Sequence, residues 1–410
     1  MSLHQELQQK TIKTLSIAQI GAGVGTAGTV AAGSLLVAEI TDSETLAGLA
    51  QTFSVLGAAA LALPLARLTN FGGRRLALAT GYAAGVIGSL FAIAGGIHSN
   101  IYLMLIGSFL VGSASAAAYQ ARFAAIDLVR DEHQAKQLSY VVWGSTVGAV
   151  TGPNLMEPAG RLATRLNLPE LVGPYLISAV TLTFAATLIY LFLKPDPYLT
   201  ALGEGRRFEA GKRRTKEALS HISKRPVALF AILAISIGHI AMVSVMVMTP
   251  VHMKHVDVSL RIIGMVISVH VIGMYAFSPI VGSISDRIGQ VKTIQMGFMI
   301  LLLSALISST AAADDVPKLG VGLFLLGLGW SFTLIAGSTL LSTSVDQELK
   351  TSVQGASDLV MNLAGAFGGA IAGVVISFLN YGWLCVFAAI PVIALAVWSA
   401  SLKPLETPEI

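Results

Sequence analysis

LRIIGMVISVHVIGMYAFSPIVGSISDRIGQVKTIQMGFMILLLSALISSTAA, residues Leu260 to Ala312, consists of two apolar runs parted by a short loop that carries Asp286, Arg287 and Lys292. Each run is about 20 residues long, enough for a helix to cross a hydrocarbon core of roughly 30 Å. Lipid offers no partners for backbone N–H and C=O groups, so a run of this length is stable there as a helix that satisfies its own. The stretch therefore predicts two membrane-crossing helices joined by a polar turn.

The same pattern extends over the whole chain. Of the 410 residues 54% are hydrophobic and only 12% charged, and the mean hydropathy of +0.74 excludes an ordinary soluble protein. Twelve spans are expected, at about 15–38, 45–66, 76–97, 101–121, 138–158, 174–193, 226–250, 260–283, 293–312, 319–343, 353–378 and 382–402. The expected fold class is an all-α membrane protein of twelve transmembrane helices in two six-helix bundles. The 41 glycines suit close helix packing. Cys385 is the single cysteine, which excludes an internal disulfide and a cysteine-cluster metal site. The polar N-terminus, MSLHQELQQKTIKTLS, runs into the first span without a cleavage site, so that span reads as retained.

Charge fixes the expected orientation. The long polar segment from Lys194 to Arg225 holds nine Lys/Arg against four acids. Arg67, Arg74 and Arg75 follow span two, Arg122, Arg130 and Lys136 follow span four, and Arg287 and Lys292 follow span eight. Glu39, Asp42, Glu44, Asp314 and Asp315 lie in the opposite loops. By the positive-inside rule the basic loops and both termini face the cytoplasm, in the cytoplasmic (inner) membrane. The net charge of +4 then needs no nucleic acid as partner. The expected domains are 1–193, an N-terminal six-helix bundle; 194–225, a basic cytoplasmic linker; and 226–410, a C-terminal six-helix bundle, facing each other across a midplane site.

The loop GSISDRIGQVK, with Gly282, Asp286, Arg287 and Gly289, resembles the G-x-x-x-D-R-x-G signature of the major facilitator superfamily. The equivalent loop after span two, LPLARLTNFGGRRLAL, keeps Gly72, Gly73, Arg74 and Arg75 and has no acid at the expected place. Span five carries Gly144, Gly148, Gly152 and Pro153, similar to the glycine–proline signature of the antiporter branch. A small-residue helix interface with a proline bend accounts for that run equally well. The resemblance implies alternating access between the two bundles, with Gly282, Asp286, Arg287 and Gly289 as a conformational latch.

Residues 239–274 hold six of the twelve methionines and four of the eight histidines. Met242/Met246 on span seven and His270/Met274 on span eight form M-x-x-x-M and H-x-x-x-M, each pair on one helical face. The two motifs resemble the motif pair of the CcoA-type copper importers. That resemblance implies Met242, Met246, His270 and Met274 as copper-binding residues, copper as transported substrate rather than bound cofactor, and a cytoplasmic copper acceptor as partner of a monomeric carrier. Thioether is a soft, neutral ligand that suits Cu(I), and imidazole suits copper among other metals. At helical rise Met246 and Met242 would lie about 6 Å and 12 Å below the end of span seven at Pro250, and His270 and Met274 about 15 Å and 21 Å below the start of span eight. The four ligands form a descending series on that estimate. His252, Met253 and His255 in the outer loop would capture metal at the mouth, and His239 offers an extra ligand, a proton carrier or a helix-to-helix hydrogen bond. Against this stands the plain reading of methionine as flexible apolar packing, which histidine in mid-span does not share.

Arg122 and Asp127 at the inner end of span four read as snorkelling or loop-anchoring groups. Asp358, Asn362 and Gln354 give span eleven a polar edge suited to a gating contact, and Glu157 near the outer end of span five offers a proton-coupling group. No P-loop or hydrolytic constellation is visible, so neither ATP coupling nor enzymatic activity is expected. The alternative function is a small-organic-solute carrier, of riboflavin or drug type, whose pocket would need midplane aromatics such as Trp143, Trp330, Tyr119 and Tyr275. A copper-binding membrane receptor is a third class, with no appended soluble domain to transmit a signal.

Overall fold

The structure, a computed structural model, describes residues 3–43, 46, 48–203, 220, 222, 225–254 and 258–401. The described residues form helices and no strands. In chain order the helices are α1 (Leu3–Thr41), α2 (Leu49–Ile97), α3 (Ile101–Ala124), α4 (Gln134–Asn154), α5 (Met156–Arg165), α6 (Gly173–Phe192) and α7 (Pro197–Leu202). They continue with α8 (Pro226–Lys254), α9 (Leu260–Tyr275), α10 (Ser278–Ile288), α11 (Gln290–Ser309), α12 (Val316–Thr343), α13 (Lys350–Phe378) and α14 (Tyr381–Ala400).

Ten helical stretches among the described residues are long and apolar enough to cross a membrane. Four expected spans differ from the rest. Spans two and three form one continuous helix, α2, which bends at Gly73, where φ is +84°. Span five, α4, has 21 residues, enough to cross, but its Gln, Lys, Ser and Thr content keeps it out of the apolar set. Span eight is interrupted after Tyr275, so α9 and α10 together form one crossing. Pro250 does not end span seven: α8 runs on to Lys254, as proline-containing helices in lipid can. Short loops set the other boundaries. Asn100, Asp315 and Asn380 each accept hydrogen bonds from backbone N–H groups of the first turn that follows them, the usual way a helix start is satisfied.

Glu157 lies outside span five, on α5, where it pairs with Arg161 at 2.5 Å with both side chains exposed. Of the polar segment expected to be the basic linker, residues 204–219 lie outside the described residues, as does His255. Among the linker's described residues, Asp196 caps α7 and accepts the backbone N–H of Arg75 at 2.7 Å.

One apolar core is drawn entirely from residues between Ile222 and Leu395. A second combines residues between Leu15 and Leu193 with Val281, Phe332 and Ile335, and so lies across the seam between first-half and second-half helices. The glycines of span five serve packing: a Cβ on Gly148 would sit 2.6 Å from the backbone of Gly23, which puts α4 against α1 with no room for a side chain.

The hydrogen bonds that join the two halves cluster at one end of the bundle, the end of the basic loops. Asp286 accepts from the backbone N–H groups of Ala135 and Lys136, both at 3.0 Å, at the start of α4. Asn70, three residues before Gly73, meets the start of α13 through side chains instead: it accepts from the Thr351 hydroxyl and donates to Ser352 Oγ at 3.5 Å. Gly73 and Gly289, with φ of +84° and +91°, follow Asn70 and Asp286 at the same spacing. Where the first loop lacks the acid, an amide at the same spacing from the glycine also reaches the start of a helix in the other half, bonding side-chain hydroxyls rather than backbone N–H groups. Gly282 approaches Ser139 and the Ala135 carbonyl, where a Cβ would lie within 2.6 Å. Arg287 is exposed.

Candidate functional site

Above this sealed end, between the two halves, lies a cavity of about 230 Å³. Its wall comes from α1 (Gln19, Thr26), α3 (Tyr119, Arg122), α4 (Ser145), α9 (Tyr275) and α12 (Trp330), with small apolar residues between them. Both halves contribute, as a site used by alternating access requires.

Three aromatic side chains form one flank. Tyr275 meets Trp330 edge-on, with ring centroids 5.7 Å apart and planes at 88°, and Tyr119 lies across the seam. The Trp330 Nε1–H donates to His239 Nδ1 at 3.0 Å, which fixes the indole plane. Of the three roles open to His239, the structure supplies the helix-to-helix hydrogen bond. On the opposite flank Gln19 is held by Ser145 Oγ at 3.1 Å and by the Tyr82 hydroxyl at 3.3 Å. A lone amide in span one carries no distinctive pattern, so sequence reading passed over Gln19; its place in a span that otherwise lacks amides was the available signal.

Arg122 forms part of the cavity wall at its basic end. It does not snorkel. Its Nη2 donates to Asp358 Oδ1 at 2.6 Å, its Nε to Ser338 Oγ at 2.9 Å and its Nη1 to the Tyr119 carbonyl at 3.0 Å. Phe123 and Tyr119 present ring faces to the guanidinium. Asp127 is equally buried: it takes both Nε and Nη2 of Arg74, at 2.8 and 3.2 Å, while Arg74 Nη2 also reaches Gln354 at 2.7 Å. Both acids find a cation inside the bundle, and that gain holds the arginines away from the surface.

The predicted metal ligands do not form part of the cavity wall. Met242 and Met274 are buried, and Met246 is half-buried, in the second-half apolar core. His270 is fully buried, with Nδ1 at 2.8 Å from the Leu323 carbonyl on α12. Met274 packs where a Cβ on Gly327 would be, also on α12. Helices α8 and α9 barely touch each other, while α12 packs against both, so the two motifs sit on helices that α12 holds apart. At the mouth, Met253 is fully buried in the core, while His252, half-buried, stacks on Tyr381 at 4.4 Å. Packing took Met253 inward because α8 continues beyond Pro250. Trp143 is 43% exposed on the outside of the bundle and leaves the aromatic set to Tyr119, Tyr275 and Trp330. Among the described residues no three His, Cys, Asp or Glu side chains group as a metal site.

The family model described as Major Facilitator Superfamily matches residues 15–369 and 240–410. The chain is 32% identical over 402 residues to the uncharacterized MFS-type transporter YdeG of Bacillus subtilis (strain 168), covering 96% of this chain and 93% of that one. It is 25% identical over 392 residues to the riboflavin transporter RfnT of Brucella anthropi, covering 95% and 94%. Its fold is similar to that of the Escherichia coli fucose:proton symporter FucP, with a TM-score of 0.72 at 17% identity over 95% of this chain and 98% of that one.

Proposed function

The chain belongs to the Major Facilitator Superfamily, and is a multi-pass membrane transporter rather than an enzyme; from that premise we propose that its cargo is a small organic solute with a flat ring system, bound in the seam cavity. The observation that carries this reading is the wall itself. Tyr119, Tyr275 and Trp330 converge there with Arg122, Gln19 and Ser145, apolar faces for a ring and a few fixed polar groups for orientation. The 25% identity to a riboflavin transporter over nearly the full length supports the same class.

The frame for this activity is twelve spans, counting α2 as two and α4 as one, in bundles 1–193 and 226–410 joined by the basic segment 194–225. The basic loops and both termini face the cytoplasm, so the seal faces inward and the cavity is reached from outside. The carrier works as a monomer in the cytoplasmic membrane.

Copper is the second reading, and one observation favours it: His270 Nε2 is buried in the membrane interior without a hydrogen-bond partner, beside Met274 on the same face. In that reading Met242, Met246, His270 and Met274 bind the ion as substrate after α12 has shifted, and a cytoplasmic acceptor takes it up.

Uptake separates the two. Cells producing the protein are expected to accumulate radiolabelled riboflavin saturably above vector controls, with radiocopper uptake at the control level. Copper accumulation lost on replacing Met242, Met246, His270 and Met274, without riboflavin uptake, would overturn the organic-solute reading.

A further inference from the structure

The ion pair between Arg122 and Asp358 spans the seam, from α3 in the first half to α13 in the second. Its side chains are 2% and 0% exposed, and Asp358 sits about 12 Å along α13 from the helix start at helical rise. The carboxylate is half-satisfied. Oδ1 takes Arg122, while Oδ2 is buried with no hydrogen-bond partner. Burying an ionised carboxylate is costly, and an unpartnered oxygen adds to that cost. A proton on Oδ2 occupies a position that no donor holds and removes the charge that binds Arg122.

Arg122 links this acid to the cavity. It is the wall residue at the cavity's basic end, whereas Asp358 is sealed from the cavity and from the surface alike. When Asp358 is ionised, the pair holds the halves together at the basic end, in company with Asn70–Thr351, Arg74–Gln354 and Asp286 at the start of α4. Of these seam contacts, only the Arg122 and Asp286 contacts depend on a carboxylate, and that of Asp286 is half exposed to water.

We propose that Asp358 is the proton-binding site of this transporter, and that its protonation releases Arg122 and unlocks the basic end of the seam. The proton comes from water on the side to which the carrier is open and forms an O–H bond at Oδ2. It returns to water on the other side once the seal has parted; no other bond is made or broken. Among the described residues the other charged and titratable groups near the pair are few. Tyr119 of α3 lies beside it, Arg74 of α2 is the second cation that Asp358 feels and is itself held by Asp127, and His239 of α8 faces Arg122. From α12 the Ser338 hydroxyl approaches, and Lys350 stands at the start of α13 itself. The inference concerns the driving ion and does not depend on the identity of the cargo.

The sign is fixed by which form makes the bond. The ionised form favours the closed basic end, so closure is complete at high pH and is lost as pH falls. The test uses purified full-length protein in lipid nanodiscs, without cargo. Spin labels replace Glu132 and Gln347, exposed on opposite halves at the basic end, in a Cys385→Ala background. Pulsed electron–electron distance measurements are expected to move from a short to a long distribution between pH 8 and pH 5. With Asp358→Asn the long distribution should dominate at both values, and Asp358→Glu should restore the response. If Asp358→Asn does not fold, the neutral double variant Arg122→Gln/Asp358→Asn leaves no buried charge unpaired and is expected to be equally insensitive to pH. A pH response in either neutral variant equal to that of the parent, or none in the parent, would overturn the proposal. Because no cargo is present, such a failure is distinct from failure of the organic-solute reading.

Discussion

Arg122→Leu is expected to abolish transport and to cost the folded protein about 3–5 kcal/mol, the usual penalty for leaving one member of a buried ion pair alone. The guanidinium also donates to Ser338 Oγ and the Tyr119 carbonyl and lies 4.5 Å from the centre of the Phe123 ring, so its loss removes these contacts and leaves the Asp358 carboxylate alone. Asp358→Leu leaves the cation stranded instead, with a loss of similar size. The informative variant is the double, Arg122→Leu/Asp358→Leu. Two apolar side chains in place of a buried pair are often neutral or better for stability, so thermal unfolding in detergent should return most of the way to the parent. Transport should stay absent. A double variant as unstable as the singles would remove the pair as the cause; one that transported normally would reduce the pair to a structural tie.

Trp330→Ala is the second large effect. The indole forms part of the cavity wall, meets Tyr275 edge-on and is oriented by His239. Stacking of a flat heteroaromatic ring on such a face is worth about 1–3 kcal/mol, so riboflavin, read by quenching of its fluorescence on titration with purified protein, should bind about 5- to 150-fold more weakly. Trp330→Phe keeps an aromatic face and loses the N–H, and a smaller loss is expected. Trp143→Ala, on the outer surface of the bundle, should leave the affinity unchanged. Equal losses for Trp143→Ala and Trp330→Ala would point to general destabilisation and away from the cavity.

Hydropathy made the membrane class and most helices legible, because in lipid the length of an apolar run and the need for internal hydrogen bonds leave little choice. The exceptions have local causes. A span as polar as α4 is held by packing on α1 through Gly148, which a hydropathy window does not register, and α8 carries on beyond Pro250, a residue that marks a helix end more often in water than in lipid. In the second half, the loop that meets the first half could be read from Asp286 and Gly289. The corresponding first-half loop was harder to read because Asn70 stands where the pattern expects an acid, although the three-residue spacing to Gly73 is the same.

The site was less legible. Tyr119, Tyr275 and Trp330 were named from residue type and depth, and they line the cavity together. The methionine motifs drew attention by composition, yet helical spacing places residues on one face without saying which neighbour that face meets. Here Met274 packs on Gly327 of α12, and Met242 lies in the second-half apolar core. Arg122 and Asp358 are 236 residues apart, and no spacing rule connects a cation at the end of one helix with an acid two turns into another. Only the pairing of halves brings them together.

The most direct test of the seam cavity as the cargo site is a structure determined with riboflavin present. The account predicts ring-shaped density between Tyr119, Tyr275 and Trp330, with Arg122 below it. Riboflavin density elsewhere, or an empty cavity at concentrations that saturate binding, would contradict it.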